Sequence, residues 1–294
     1  MLTFYQAIQG WHNTPLDYFF ILLSFLGSVP VYILLLMVLY WNVDKRFGFR
    51  LTVLMLFSLA FNSFLKDTFR FARPIGQPGI RSIYLSSAGG YSFPSGHSQG
   101  AATFYPYLWR RRPSRALKYT GVAAILLIGF SRLYLGVHWP QDVLAAYLTG
   151  FILVWAFQQI DQRLFKLAWP LAAKLSLSIL LPLIFLVIYH AKEGWQLVGF
   201  AIGFTFGHFL EDRFLDYRER TGRWISAMKT LLGLIILGIW ALPWLPIMKV
   251  YEGIYLPVLA VGGLWASFGA PYLFRRLGWE RPQEAHTDTA QETS

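Results

Sequence analysis

Three short stretches concentrate ionisable side chains in a chain that is otherwise strongly apolar. The first, Lys66-Asp67-Thr68-Phe69-Arg70-Phe71-Ala72-Arg73-Pro74, sets Lys66 and Arg73 seven residues apart. On a continued helix both project from one face until Pro74 ends it. The second, Phe93-Pro94-Ser95-Gly96-His97-Ser98, reads as a helix start. Free backbone N–H groups and the positive end of the dipole make such a start an anion site, and Gly96 permits close approach. The third runs from Ser131-Arg132 through His138 to Asp142. There Asp142 can bond one nitrogen of His138, fix its tautomer and leave the other nitrogen free to attack. Each stretch also has a structural reading. Lys66 and Arg73 can be snorkelling interfacial cations, Ser95 an ordinary N-cap beside His97, and Pro140 and Asp142 normal first-turn residues of the next helix.

The elements that must position these residues follow from composition. The chain has 294 residues, 55% hydrophobic and only 14% charged, well short of the charge a soluble domain carries. Its apolar residues fall in long blocks, so the fold reads as all-α, a multi-pass transmembrane helical bundle of about nine spans. These are 18–41, 49–65, 97–109, 119–130, 143–157, 167–189, 195–210, 224–245 and 255–274. Leu2, Phe4, Tyr5, Ile8 and Trp11 recur at helical spacing before the first span, as in a short interfacial helix. No secretory signal pattern opens the chain, so the spans themselves are expected to drive insertion. There is no cysteine, hence no disulfide framework or thiolate metal site. One set of alternating loops holds 19 of the 26 Lys and Arg residues. The positive-inside rule places that set in the cytoplasm, with the N-terminus outside, the C-terminus inside and all three motifs on the non-cytoplasmic face of the cell (inner) membrane.

Three or four cations, two histidines, a carboxylate and a helix N-terminus at the ends of adjacent spans suit a phosphoryl group. It needs fixed positive charge on its oxygens, an in-line nucleophile and an acid for the leaving oxygen. Lys66 with Arg73-Pro74, Pro94-Ser95-Gly96-His97, and Ser131-Arg132 with His138 and Asp142 resemble the three-part signature of the type 2 phosphatidic acid phosphatase superfamily. That superfamily includes lipid phosphate phosphatases and vanadium haloperoxidases. The resemblance covers roughly residues 1–165 and leaves none of the signature residues unmatched. It implies a metal-independent phosphatase acting on a lipid phosphate or diphosphate through a phosphohistidine. His138 would be the nucleophile, Asp142 its orienting group, and His97 the acid and then base. Lys66, Arg73, Ser95, Gly96 and Arg132 would hold the phosphate oxygens. No metal or other cofactor is expected, and no metal-ligand spacing appears.

The organisation expected is a catalytic core at 1–165, a transmembrane extension of unknown role at 166–279, and a disordered cytoplasmic tail at 280–294. Partners are the bilayer and a membrane lipid phosphate, with no nucleic acid; no oligomeric state follows. Candidate substrates are undecaprenyl pyrophosphate, phosphatidylglycerol phosphate, phosphatidic acid and sphingoid phosphates. Competing readings are a phosphotransferase that passes phosphate from His138 to another lipid, and a transporter with a relic motif. The short helical lengths between His97 and Arg110 and between Lys118 and Arg132 allow a site recessed below the headgroups, with local bilayer thinning as the alternative. The glycine-rich loop 75–93 reads as a mobile lid or as a plain connection. Arg70 and Arg81 read as interfacial cations or headgroup contacts. Gly199, Gly203 and Gly207 favour close helix packing within the chain. His190 and His208 read as structural, and Glu211 as paired or solvated at the cytoplasmic face.

Overall fold

A computed structural model describes residues 2–111, 113–164, 167–189 and 191–280. His190 and, beyond Glu280, the stretch expected as a tail lie outside these residues. Among the described residues there is no β-strand. In chain order the helices are α1 (Leu2–Gln9), α2 (Thr14–Leu26), α3 (Val29–Val38), α4 (Lys45–Phe69), α5 (Gly96–Arg111), α6 (Arg115–Tyr134) and α7 (Pro140–Leu164). They continue with α8 (Leu171–Ile188), α9 (Lys192–Leu210), α10 (Arg223–Ala241), α11 (Leu245–Val250), α12 (Tyr255–Leu264) and α13 (Ala270–Arg276). Side-chain caps set several starts: Asn13, Asp44 and Ser114 accept from the amides of Leu16, Phe47 and Leu117 at 2.9, 2.9 and 3.0 Å. Helices α2 and α3 meet at a 52° bend. Pro30 in the first turn of α3 supplies no amide to continue the ladder. Gly27 in the bend is packed against Ile128 of α6.

Among the described residues six stretches are long and apolar enough to cross a membrane, and the bent α2–α3 pair makes a seventh when taken as one span. The expectation of about nine is therefore met only in part. Helix α5 is 16 residues long, and α9 carries Lys192, Glu193, Gln196, His208 and four glycines. Both nevertheless run antiparallel to α4. Gly96 lies beside Asn62 while Tyr107 stacks on Phe47 at 5.3 Å, and His208 stacks on Phe49 at 3.7 Å. Protein shields much of both helices, so polar side chains there can find protein partners instead of lipid. In α5 the Gln99 amide donates to Ser58 Oγ at 3.0 Å and Thr103 meets the same hydroxyl at 2.9 Å.

Helices after residue 166 pack along α4 from its motif end, where Tyr189 meets Asp67 and Phe64, to its far end, where His208 stacks on Phe49. Gly199, Gly203 and Gly207 of α9 face Leu256, Ala260, Leu264 and Ser267, so the glycine ladder packs within the chain as expected. Three π-helical turns, Leu39–Val43, Glu211–Leu215 and Trp265–Gly269, meet there. Tyr40 donates to the Ser267 carbonyl at 3.0 Å and lies 3.0 Å from His208 Nδ1; Trp41 donates to the Ala266 carbonyl at 2.7 Å. Glu211 is fully buried against Lys45 at 2.9 Å, and Lys229 donates to the Trp41 carbonyl at 3.1 Å and to Tyr217 Oη at 2.7 Å. Removing one partner of such a pair strands the other. Glu211→Ala is expected to destabilise the detergent-solubilised protein by about 3–5 kcal/mol, while the paired apolar replacement Lys45→Met with Glu211→Leu recovers most of that loss. Thermal unfolding of the two variants beside wild type checks this; a Glu211→Ala protein as stable as wild type would show that the pair does not seat the extension.

Candidate active site

The motif end of the bundle encloses a cavity of about 340 Å³. Lys66, Arg73, Gly96, His97 and His138 line it, brought in from all three motif stretches. Its inner wall descends along α4 to Met55, eleven residues before Lys66, roughly 16 Å of helix at 1.5 Å per residue. Tyr32, Ser58, Asn62 and Gln99 line that lower part.

Arg73 does not sit on a continued helix with Lys66. Helix α4 ends at Phe69, and Arg70 turns left-handed (φ 54°), its amide bonded to the Lys66 carbonyl at 2.9 Å. Pro74 disfavours helical geometry at Arg73, so the chain leaves extended and swings Arg73 back over the site. Its guanidinium donates to the carbonyls of Gly89, Gly90 and Tyr91 at 2.6, 2.9 and 3.1 Å and to that of Val137 at 2.8 Å. Lys66 donates to the Tyr91 carbonyl at 2.5 Å. The loop 75–93 is thus pinned to the motifs, and it is tied again by Ser82 to the Gly136 carbonyl (2.8 Å) and by the Ile83 amide to that of Leu135 (3.0 Å). These ties favour the plain connection over a free lid. Arg81 forms a bidentate pair with Asp17 at 2.8 and 2.5 Å, and Arg70 caps the end of α4, so neither reaches the cavity wall.

His138 sits in the turn between α6 and α7 and is 1% exposed. Arg73 Nη1 lies 3.0 Å from its Nε2. A guanidinium can only donate, so Nε2 is the acceptor and the ring proton belongs on Nδ1. Nδ1 faces Asp142 Oδ2 at 3.4 Å and Ser92 Oγ at 3.5 Å. Burial first, then the charges of Arg132, Arg73 and Lys66, hold the imidazole well below the usual histidine range. It is therefore neutral at physiological pH, with its free lone pair directed at the Arg73 guanidinium. Tyr5 of α1 donates to the His138 carbonyl at 2.5 Å. Helix α1 is thus only half an interfacial helix: Leu2 and Phe4 are exposed, while Tyr5, Ile8 and Gln9 are buried under the site.

Behind the wall stand the other residues picked out by sequence. Asp142 is buried, and its Oδ2 also accepts from the Trp139 amide at 2.8 Å and from Ser92 Oγ at 2.5 Å. Arg132 is fully buried, donating to Ser24 Oγ and to Ser87 Oγ (2.9 Å), with its Nε unpartnered. Ser95 is buried, its Oγ accepting from Ser98 Oγ at 2.9 Å, and it does not line the cavity. The amides of Gly96 and His97 open the helix without intrahelical partners. Asn62 donates to Gln99 at 2.8 Å and would crowd any side chain at Gly96, which keeps that helix start open to a ligand. Ser92, Tyr5, Ser24 and Ser87 were not legible in the sequence. Their bonds to His138 and Arg132 span 45 to 133 residues of chain, and neither a lone serine nor a tyrosine on an amphipathic stripe signals such a partner.

Comparison with known proteins matches residues 47–166 to the model of the PAP2 superfamily and residues 195–282 to that of the PAP2 superfamily phosphatase, transmembrane extension. The chain is 28% identical over 172 residues to lipid phosphate phosphatase delta of Arabidopsis thaliana, covering 53% of this chain and 41% of that protein. It is 30% identical over 172 residues to lipid A 4'-phosphatase of Bacteroides thetaiotaomicron, covering 53% of this chain and 74% of that one. It thus spans less than half the length of the Arabidopsis relative. The crystal structure of Aquifex aeolicus LpxE aligns with a TM-score of 0.48 at 27% identity, covering 54% of this chain and 94% of that one. The first matched segment carries all three motifs and the second the helices packed against them, so the chain belongs to the PAP2 superfamily as an all-helical integral membrane protein.

Proposed function

We propose that the protein is a lipid phosphatase, cleaving a lipid phosphate or diphosphate through a phosphohistidine on His138. The observation that carries this reading is the neutral imidazole whose Nε2 faces Arg73 at 3.0 Å on the wall of a cation-lined cavity. A phosphate bound between Arg73, Lys66 and the α5 amides takes over donors now spent on loop carbonyls, which sets phosphorus in front of Nε2. The Nε2–P bond forms as the bond from phosphorus to the lipid oxygen breaks, and His97, which takes up a proton once the bound phosphate offsets the neighbouring cations, protonates the departing oxygen. Asp142 holds the Nδ1 proton of the imidazolium, and Arg132 adds charge from behind. His97, now neutral, takes a proton from water; the water oxygen bonds to phosphorus, the P–N bond breaks, and inorganic phosphate leaves. Side chains supply the charge neutralisation, so no metal is needed in this scheme.

In this reading residues 1–165 form the catalytic core and 166–279 the extension. The site opens on the non-cytoplasmic face of the cell membrane, with the N-terminus outside and the C-terminus inside, supported by the loop charge bias. The test is phosphate release from a lipid panel by purified protein. Activity is expected to persist in EDTA, to be blocked by vanadate, which mimics the five-coordinate phosphorus, and to yield free phosphate instead of a phosphorylated acceptor lipid. Complete loss in EDTA with recovery on adding a divalent ion would overturn the metal-free scheme.

A further inference from the structure

The cavity is completed from outside the matched core. Tyr189, which follows α8, and Glu193, in the first turn of α9, both line it. Tyr189 donates to Asp67 Oδ2 at 2.6 Å and packs edge-on to Phe64. Asp67 also lines the cavity, one residue beyond Lys66. The cavity therefore carries two carboxylates side by side with Tyr189, Asp67 from the core and Glu193 from the extension, and no ion pair among the described residues joins either to a cation. The nearby cations place their hydrogen bonds and ring contacts on other groups: Lys66 Nζ donates to the Tyr91 carbonyl at 2.5 Å, Lys192 Nζ lies over the Tyr255 ring at 5.4 Å, and Arg70 Nε bonds the main-chain carbonyl of Asp67 at 2.9 Å. A second feature marks the same cavity as a ligand site. The Tyr32 hydroxyl, on a residue 4% exposed, lines it and has no hydrogen-bond partner. A buried hydroxyl left unpaired is costly unless a ligand or water completes it.

We propose that the extension is a working part of the substrate site. Asp67, held in place by Tyr189, and Glu193 rank phosphomonoesters by the charge beside the phosphate, favouring an ammonium on the alcohol and disfavouring a second phosphate. This rests on the phosphatase reading and deepens it. The cations of the core hold the phosphoryl group, and the acidic wall faces what is attached to it. A long-chain amino-alcohol phosphate satisfies both walls at once, whereas a lipid diphosphate sets its extra charge against carboxylates.

The test compares kcat/KM of the purified full chain on four probes: a long-chain 2-aminoalkyl phosphate, its N-acetyl derivative, a dialkylglycerol phosphate and a polyprenyl diphosphate. Wild type is expected to prefer the free amine over its N-acetyl derivative by about tenfold, and Asp67→Asn with Glu193→Gln to shrink that preference to about twofold while raising relative activity on the diphosphate. Tyr189→Phe, which frees Asp67 without removing it, is expected to fall between. A merely structural role lowers all four rates together and leaves the ratios alone, which would overturn the inference. So would a wild type that cleaves all four probes equally well, with the phosphatase reading left standing. A wild type inactive on every phosphate would remove both.

Discussion

Replacing His138 with alanine is expected to abolish phosphate release, by at least about 10⁴-fold in kcat, because the proposed scheme forms its covalent intermediate on this residue. The expectation comes from geometry. Nε2 is the free, unprotonated nitrogen on the cavity side, and Arg73 at 3.0 Å ties it to the same cation that would hold the phosphate. The His138 side chain is almost wholly buried, so folding of the variant must be followed by thermal unfolding, with His138→Asn as a gentler replacement. A folded variant that keeps more than a tenth of wild-type activity would remove His138 as nucleophile. The pH profile gives an independent reading. A histidine held well below its ordinary range stays neutral as pH falls through that range. The acid limb assigned to the nucleophile is therefore expected below the ordinary histidine range, where protonation finally blocks Nε2.

Asp142→Asn is the second large effect, expected to lower kcat by about 10³-fold with little change in KM. The carboxylate has two possible jobs, and the distances divide them. Its short contacts are to Ser92 Oγ at 2.5 Å and the Trp139 amide at 2.8 Å, the marks of a residue that closes the turn before α7. Its contact to His138 Nδ1 is longer, 3.4 Å. An asparagine can still accept from the Trp139 amide, so the turn survives. It cannot carry the negative charge that stabilises an imidazolium, and its NH₂ competes for the Nδ1 tautomer. Activity within about tenfold of wild type would therefore reduce Asp142 to a turn residue. Loss of kcat with normal folding would identify it as the group that orients and charges His138.

Much of the candidate site was legible before any coordinates because each motif is local. Lys66 and Arg73, Ser95 to His97, and His138 with Asp142 lie within a few residues of one another, and the apolar blocks between them mark helices on composition alone. Where the local pattern misled, longer-range geometry had taken over. Seven-residue spacing assigned Lys66 and Arg73 to one helix face, yet the chain turns left-handed at Arg70 and reaches the same cavity by an extended path. Hydropathy counts α5 and α9 as spans like the rest; α5 is shorter and α9 more polar than the other spans, because neighbouring helices satisfy their side chains.

By itself the sequence determined the class of the chain, its helices, its motif residues and the charge asymmetry of its loops. Those properties depend on residue type and short spacing, which a linear chain carries in full. Only the tertiary structure decided which motif residues line the cavity and which stand behind it. It also set the tautomer of His138, the support from Tyr5 and Ser92, and the entry of Tyr189 and Glu193 into the wall. Those depend on side chains that meet across 46 to 133 residues of chain, where no spacing rule operates and packing alone chooses the partner.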